Sequence, residues 1–400
     1  MRQKSRHHHQ PAREPEIEVL IERILPGGMG LAHASGRTVL VALAATGDRA
    51  RVRIESVRGK VAFARIVEII EPSPLRIEPP CPYFGRCGGC DFQQMNYSAQ
   101  LEAKVGIIRD CLRRIARIEL PAEIPITPSP LEWHYRARAQ WQHDAARKRL
   151  GYFERGSHKV CDIAECPVLL PELQQTLSGL RERMKAYNLA AEDFQAVAGD
   201  EGVSLYPALD DSETLEASRR IGGHRYRFSA SGFFQINQSL LPELVSCAIN
   251  DAQGEEAVDL YCGVGLFTLP LARRFKRVTG IEGNPSAAAY ARRNLSEAEL
   301  ENATIECSGV AEWLGANAAA HAPVDLVLLD PPRAGLEEGA AQGLLQLRPR
   351  RITYVSCDPA TLARDLREIL AGGYTLNTLS AFDMFPQTHH VETVVFLQRQ

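Results

Sequence analysis

Three stretches of this chain carry residues whose types and spacing suit chemistry. CPYFGRCGGCDFQQ places Cys81, Cys87 and Cys90 within ten positions. Thiols so spaced suit a disulfide staple, a tetrahedral zinc site or something rarer. VSCDP sets Cys357 just after an apolar run, where a thiol is a candidate nucleophile, and HHVETVVF opens its own apolar run with Glu392, a carboxylate able to take a proton.

Two further motifs describe a ligand site. In DLYCGVGLFTLPLA an apolar strand ends in Tyr261, Cys262, Gly263, Val264 and Gly265, where glycines let a ligand approach the backbone. Nineteen residues after Gly263, the next apolar run ends in Glu282, the acidic position that a ribose needs in this topology. The third glycine of the dinucleotide fingerprint is absent, with Phe267 and Thr268 following instead, so a single nucleoside such as S-adenosylmethionine suits the turn better than NAD. LLDPPRAG puts Asp330 before two prolines at another strand end, on the rim where open α/β sheets bind ligands.

The elements that must position these residues fall into three segments. From Ile17 to Ile70, alternating runs separated by turn residues predict a small β-barrel of five short strands. Arg49, Arg51, Arg53, Arg58, Lys60 and Arg65 alternate with its apolar positions, which suits a barrel of the oligonucleotide-binding type. EPSPLRIEPP is a linker, and the region after it reads as α+β, with Tyr135, Arg136, Arg138 and Trp141 interleaved on a strand that could face RNA. From Gly254 onward, short apolar runs alternate with Ala/Arg/Leu-rich helical stretches, which predicts a doubly wound α/β domain closed by an antiparallel pair, YTLNTLSAF and VETVVFLQ. The expected boundaries are a disordered arm over 1–14, the barrel over 15–72, the middle region over 73–250 and the α/β domain over 251–400.

Composition narrows the setting. Ten cysteines among 400 residues are too few for a disulfide scaffold, the N-terminal stretch has no apolar run that could act as a signal, and no stretch approaches a membrane span. A reducing cytoplasm is the expected location, with no membrane and no obligate protein partner. Residues 1–160 carry 26 Lys and Arg against 17 Asp and Glu, whereas residues 161–400 carry 20 against 32. A basic front on an acidic back suits a polyanionic partner such as RNA.

Taken in order, DLYCGVGLFTLPLA, DPPRAG, YVSCDPATLARD and DMFPQTHHVE resemble the 5-methyluridine RNA methyltransferases. CPYFGRCGGCDFQQ with the later ECPVL resembles the iron–sulfur motif of the branch acting on 23S ribosomal RNA, and the N-terminal barrel resembles its TRAM domain. The resemblance implies a Rossmann-like methyltransferase domain and a [4Fe-4S] cluster on Cys81, Cys87, Cys90 and Cys166, the fourth arriving 76 residues after the third. Zinc stays open on donor type alone, and Cys161 competes as fourth ligand. The resemblance further implies that Cys357 adds to C6 of a uracil, that Glu392 removes the C5 proton, and that Gln235, Tyr261, Glu282 and Asp330 hold S-adenosylmethionine. Leu266 and Gly309 stand where relatives often carry polar side chains toward the donor, so backbone contacts would serve there. The target base would flip into the cleft between the middle and catalytic regions. Three alternatives remain: a transfer RNA T-loop uridine as substrate, a DNA cytosine methyltransferase, whose Pro-Cys and Glu-Asn-Val signatures are missing here, and a non-catalytic RNA-binding assembly factor.

Overall fold

The computed structural model of the chain describes residues 16–119, 123–186, 191–210 and 216–400. The arm expected over 1–14 lies outside them.

Ala50, Val52 and Ile54 alternate with Arg49, Arg51 and Arg53 on one long strand, so one face of that strand must be buried and the other solvated. That strand, Arg49–Arg58, is second in a six-stranded sheet in the order Glu16–Leu20, Arg49–Arg58, Val61–Glu71, Arg37–Ala42, Gly30–Ala34, Arg23–Ile24. The two-residue piece Arg23–Ile24 is the strand that alternation alone does not reveal. Val19, Ile21, Val39, Val41, Val52 and Ile54 fill the interior, each such side chain contributing roughly 1.5–3 kcal/mol by leaving water. The register on the outer face pairs Glu16 with Arg53, Glu18 with Arg51 and Arg51 with Glu68. Arg49 accordingly bonds Glu71 at 3.0 Å, Arg53 bonds Glu16, Arg51 reaches both Glu18 and Glu68, and Arg65 meets Glu55 at 3.1 Å. Four of the six basic side chains read as an RNA-facing set are thus balanced by carboxylates on adjoining strands. Arg58, over the Phe63 ring, and Lys60 lie past this ladder at the hairpin end.

The middle region begins with the cysteine loop and the helix Tyr97–Cys111, whose first turn is capped by Asn96 accepting from the Ala99 amide. Ile107, Ile108 and Cys111 of this helix are buried in the same core as Leu362 and Leu366 of the helix Pro359–Ala371. A five-stranded sheet follows, in the order Val160–Asp162, Arg149–Phe153, Arg138–Asp144, Asp193–Ala198, Val203–Tyr206. Leu173, Leu177, Leu180 and Met184 recur at helical spacing on Pro171–Ala186 and pack with Trp141 and Phe194 of that sheet. Tyr135 and Trp141 are therefore core residues, which removes them from the RNA-facing role that the basic aromatic pattern suggests.

The last sheet has eight strands in the order Ala303–Cys307, Phe275–Glu282, Gly254–Leu260, Leu326–Leu329, Arg351–Ser356, Glu392–Arg399, Tyr374–Phe382, Ile126–Thr127. The first five are parallel, as continuous apolar runs separated by helices require, and Glu392–Arg399 runs antiparallel between Arg351–Ser356 and Tyr374–Phe382. The closing antiparallel pair expected from the sequence is present, but the final strand inserts inside the sheet. The outermost strand, Ile126–Thr127, comes from the middle region. No described helix is long and apolar enough to cross a membrane.

Candidate active site

The site lies at the C-terminal ends of the parallel strands. Gly254–Leu260 runs into Tyr261 and Gly263, both at positive φ (62° and 56°), a turn that exposes the Gly263 amide. That amide donates to one oxygen of Glu282 at 2.8 Å, and the Asn284 amide donates to the other at 2.7 Å. The carboxylate is thereby held beside the glycine turn with lone pairs left to accept from a ligand. Tyr261, half-buried, donates its hydroxyl to Glu337 at 3.4 Å, and burial raises its pKa. Gln235 is buried and donates from Nε2 to Asp330 at 3.3 Å, which joins the SGFFQIN segment to the end of Leu326–Leu329.

The antiparallel register brings the two residues proposed for chemistry together. Val355 faces Val394 and Ser356 faces Thr393, so the next step places Cys357 opposite Glu392. Thr393 fastens the junction by donating its hydroxyl to the Ser356 carbonyl at 3.1 Å. Glu392 is only 2% exposed and its Oε1 has no protein partner. Burial, then the nearby Asp330 carboxylate, pushes its pKa well up, with the Arg333 guanidinium opposing. Asp330 is pushed up to about 7 by burial. The Cys357 thiol is pushed up to about 12, by burial first and then by Glu392 and Asp330, again against Arg333. A thiol and two proton-hungry carboxyls therefore share one water-poor corner, with the exposed Arg333 guanidinium acting on it from the rim. Arg333 follows the DPP turn within RAG and is a member of this corner that motif reading passed over. Phe233, two residues before Gln235, is exposed.

A second constellation sits in the middle region. All ten cysteines are free thiols. Cys81, Cys87, Cys90 and Cys166 line one small cavity together with Gln93, Arg136 and Tyr152, and Cys161 does not line it. Among the described residues, no group of three or more His, Cys, Asp or Glu gathers around a single ion position. Burial pushes Cys87 up to about 11 and Cys90 up to about 12, and the charge of Arg136 opposes the shift at Cys90 and Cys166. Arg136 Nε and Tyr152 Oη are buried without partners, so two of the lining residues hold unused donors. Four thiols with unspent donors beside them suit an anionic group larger than one ion. Arg136, read from the sequence as RNA-facing, belongs to this cavity instead.

A doubly wound sheet of this strand order, with a glycine turn, an acidic end to the second strand and a thiol on the rim, fits the class of S-adenosylmethionine-dependent methyltransferases. A family model described as tRNA (Uracil-5-)-methyltransferase matches residues 210–400, and a TRAM domain model matches residues 15–67. The chain is 34% identical over 418 residues to the 23S rRNA (uracil(1939)-C(5))-methyltransferase RlmD of Pectobacterium atrosepticum, covering 94% of this chain and 92% of the relative. It is 31% identical to the enzyme of the same name from Vibrio parahaemolyticus serotype O3:K6, over 95% of each chain. Among solved structures it resembles the tRNA (uracil-54, C5)-methyltransferase of Pyrococcus abyssi in complex with S-adenosyl-L-homocysteine, with a TM-score of 0.72, 26% identity, and coverage of 95% of this chain and 100% of that one. The chain belongs to the RNA uracil-C5 methyltransferase family.

Proposed function

We propose that this enzyme methylates C5 of a uridine in 23S ribosomal RNA, with Cys357 as nucleophile and Glu392 as base. The register that sets Cys357 opposite Glu392, beside Asp330 and Arg333, is the observation that supports it. C5 of uracil is too poor a nucleophile to take a sulfonium methyl unaided. The Cys357 thiolate forms a bond to C6, and the C5–C6 electron pair moves to C5 and O4 as an enolate. C5 then takes the methyl group and S-adenosylhomocysteine leaves with the sulfonium electron pair. The Glu392 carboxylate removes the C5 proton, the double bond re-forms, and the Cys357 thiolate departs. Burial favours the protonated form of Glu392, which strengthens it as a base once the charge of Arg333 and of the sulfonium keep it ionised until the adduct exists.

Glu282 takes the ribose, Asp330 and Gln235 hold the amino-acid end of the donor and the substrate edge, and Tyr261 closes the glycine turn over it. Phe233 offers an exposed ring on which a flipped base can stack. Cys81, Cys87, Cys90 and Cys166 would hold a [4Fe-4S] cluster, with the Arg136 guanidinium in the same cavity to offset its negative charge. The group would supply a four-point cross-link of the middle region, since methyl transfer moves no electron. The favoured substrate rests on the resemblance of the cysteine motif, on the TRAM domain match and on the ribosomal RNA enzymes among the relatives. A reducing cytoplasm suits ten free thiols.

The test is transfer of labelled methyl from S-adenosylmethionine by anaerobically purified protein to unmodified 23S rRNA and to unmodified tRNA, with Cys357→Ala as blank. Label on 23S rRNA is the expected result. Label on tRNA alone moves the substrate while keeping the chemistry, and label surviving in Cys357→Ala overturns the nucleophile.

A further inference from the structure

The nine residues 383–391 lead into Glu392, yet they form neither helix nor strand, and their hydrogen bonds go chiefly to a distant part of the chain. The amides of Asp91 and Phe92 both donate to the Gln387 carbonyl, at 3.1 and 3.0 Å. Gln100 exchanges two bonds with Gln387, accepting from its backbone amide and donating to its side chain, each at 3.0 Å, and so holds Gln387 at φ 68°. Tyr135 donates its hydroxyl to the Pro386 carbonyl at 2.9 Å. Asp91 completes the set: one carboxylate oxygen accepts from the His389 amide at 2.8 Å and the other meets His389 Nδ1. The barrel closes over this pair, since a Cβ on Gly28, itself at φ +76°, would stand 3.1 Å from both Asp91 Oδ2 and His389 Cβ. His389 in turn packs its ring against that of His390, centroids 4.1 Å apart and planes tilted by 41°, two residues before Glu392.

We propose that Asp91 is a positioning residue for methyl transfer, clamping His389 so that the cysteine loop sets the path of the chain into Glu392. Asp91 follows Cys90 directly, so whatever fixes the cysteine loop also fixes the carboxylate that grips the catalytic loop. Glu392 gets its strand register from the catalytic sheet, but the segment leading into it is held by residues 91–135. The inference rests on Glu392 being the base.

The experiment uses full-length, iron-loaded protein and the variants Asp91→Ala, Asp91→Asn and His389→Ala. Four quantities are read: kcat and KM for RNA, iron content, and amide hydrogen exchange of the 383–391 segment. Asp91→Ala is expected to lower kcat by about 10²-fold, the cost of a misplacement of about 1 Å, while KM for RNA stays within about twofold. Iron content stays at the wild-type level and exchange rises in 383–391 alone. Asp91→Asn, which still accepts from the His389 amide, recovers most of kcat, and His389→Ala reproduces Asp91→Ala should the latter fail to fold. An unchanged kcat and exchange pattern overturns the clamp, and so does a fall in kcat matched by lost iron or weakened RNA binding. Glu392→Gln is measured in parallel: if it turns over like the wild type, the base assignment fails, and the exchange data alone then judge the clamp.

Discussion

Cys357 should be a sluggish thiol in the resting enzyme, and the size of the effect follows from its surroundings. Burial, Glu392 and Asp330 raise it from an ordinary 9.0 to about 12, with Arg333 opposing. Three pK units remove about a thousandfold of the thiolate near neutral pH. The remaining thiolate is intrinsically more nucleophilic, and a Brønsted coefficient of about 0.4–0.5 returns roughly 15- to 30-fold of that loss. Alkylation by iodoacetamide should therefore run about 30- to 60-fold slower than for a small-peptide thiol, before any shielding by the pocket walls. The assay is mass-spectrometric labelling of the Cys357 peptide, with the exposed Cys307 showing that the reagent is active. A raised acid gains thiolate as pH rises, so the labelling rate should climb by a factor of about ten per pH unit from about pH 7 to about pH 10 without levelling. S-adenosylmethionine, which brings a positive sulfonium, should speed labelling, and S-adenosylhomocysteine should not. Arg333→Ala should slow it further. Levelling near pH 9 at the rate of a free thiol would refute the reasoning, because it would mean that the corner is wet enough to solvate the thiolate.

Two other outcomes follow from buried charge and from the division of labour at the site. Lys104 and Asp383 form an ion pair in which both side chains are fully buried, so Lys104→Met should cost about 3–5 kcal/mol by leaving the carboxylate unpaired, read as a lower denaturant midpoint, and Lys104→Met with Asp383→Leu should recover most of it. Glu392→Gln should accumulate a covalent RNA–protein adduct on a denaturing gel, since the methylated adduct keeps its C5 proton, and the adduct should vanish when Cys357→Ala is added.

The catalytic sheet was legible because its signals are local. Each parallel strand is a short apolar run, and the residues that matter, Gly263, Glu282, Asp330 and Cys357, stand where those runs end. The surface charge was not legible in the same way. Arg49, Arg51, Arg53 and Arg65 look like a row of free cations along the chain, but Glu55, Glu68 and Glu71 neutralise them across one hairpin and Glu16 and Glu18 from a strand that only the barrel's packing brings alongside. Arg136 shows the same limit from the inside: its alternation with aromatics reads as an RNA strand, whereas packing turns it toward four thiols.

The amino-acid order alone therefore determined the doubly wound domain and which residues stand at its strand ends, Gly263, Glu282, Asp330 and Cys357 among them, because hydrophobic period and strand-end position are properties of neighbours along the chain. Only the tertiary structure decided that the last strand slips inside the sheet to face Cys357, that a segment near residue 126 supplies its outer edge, and that Asp91 grips His389 across some 300 residues. Those contacts depend on which surfaces meet when the separate cores pack, and no local pattern records that choice.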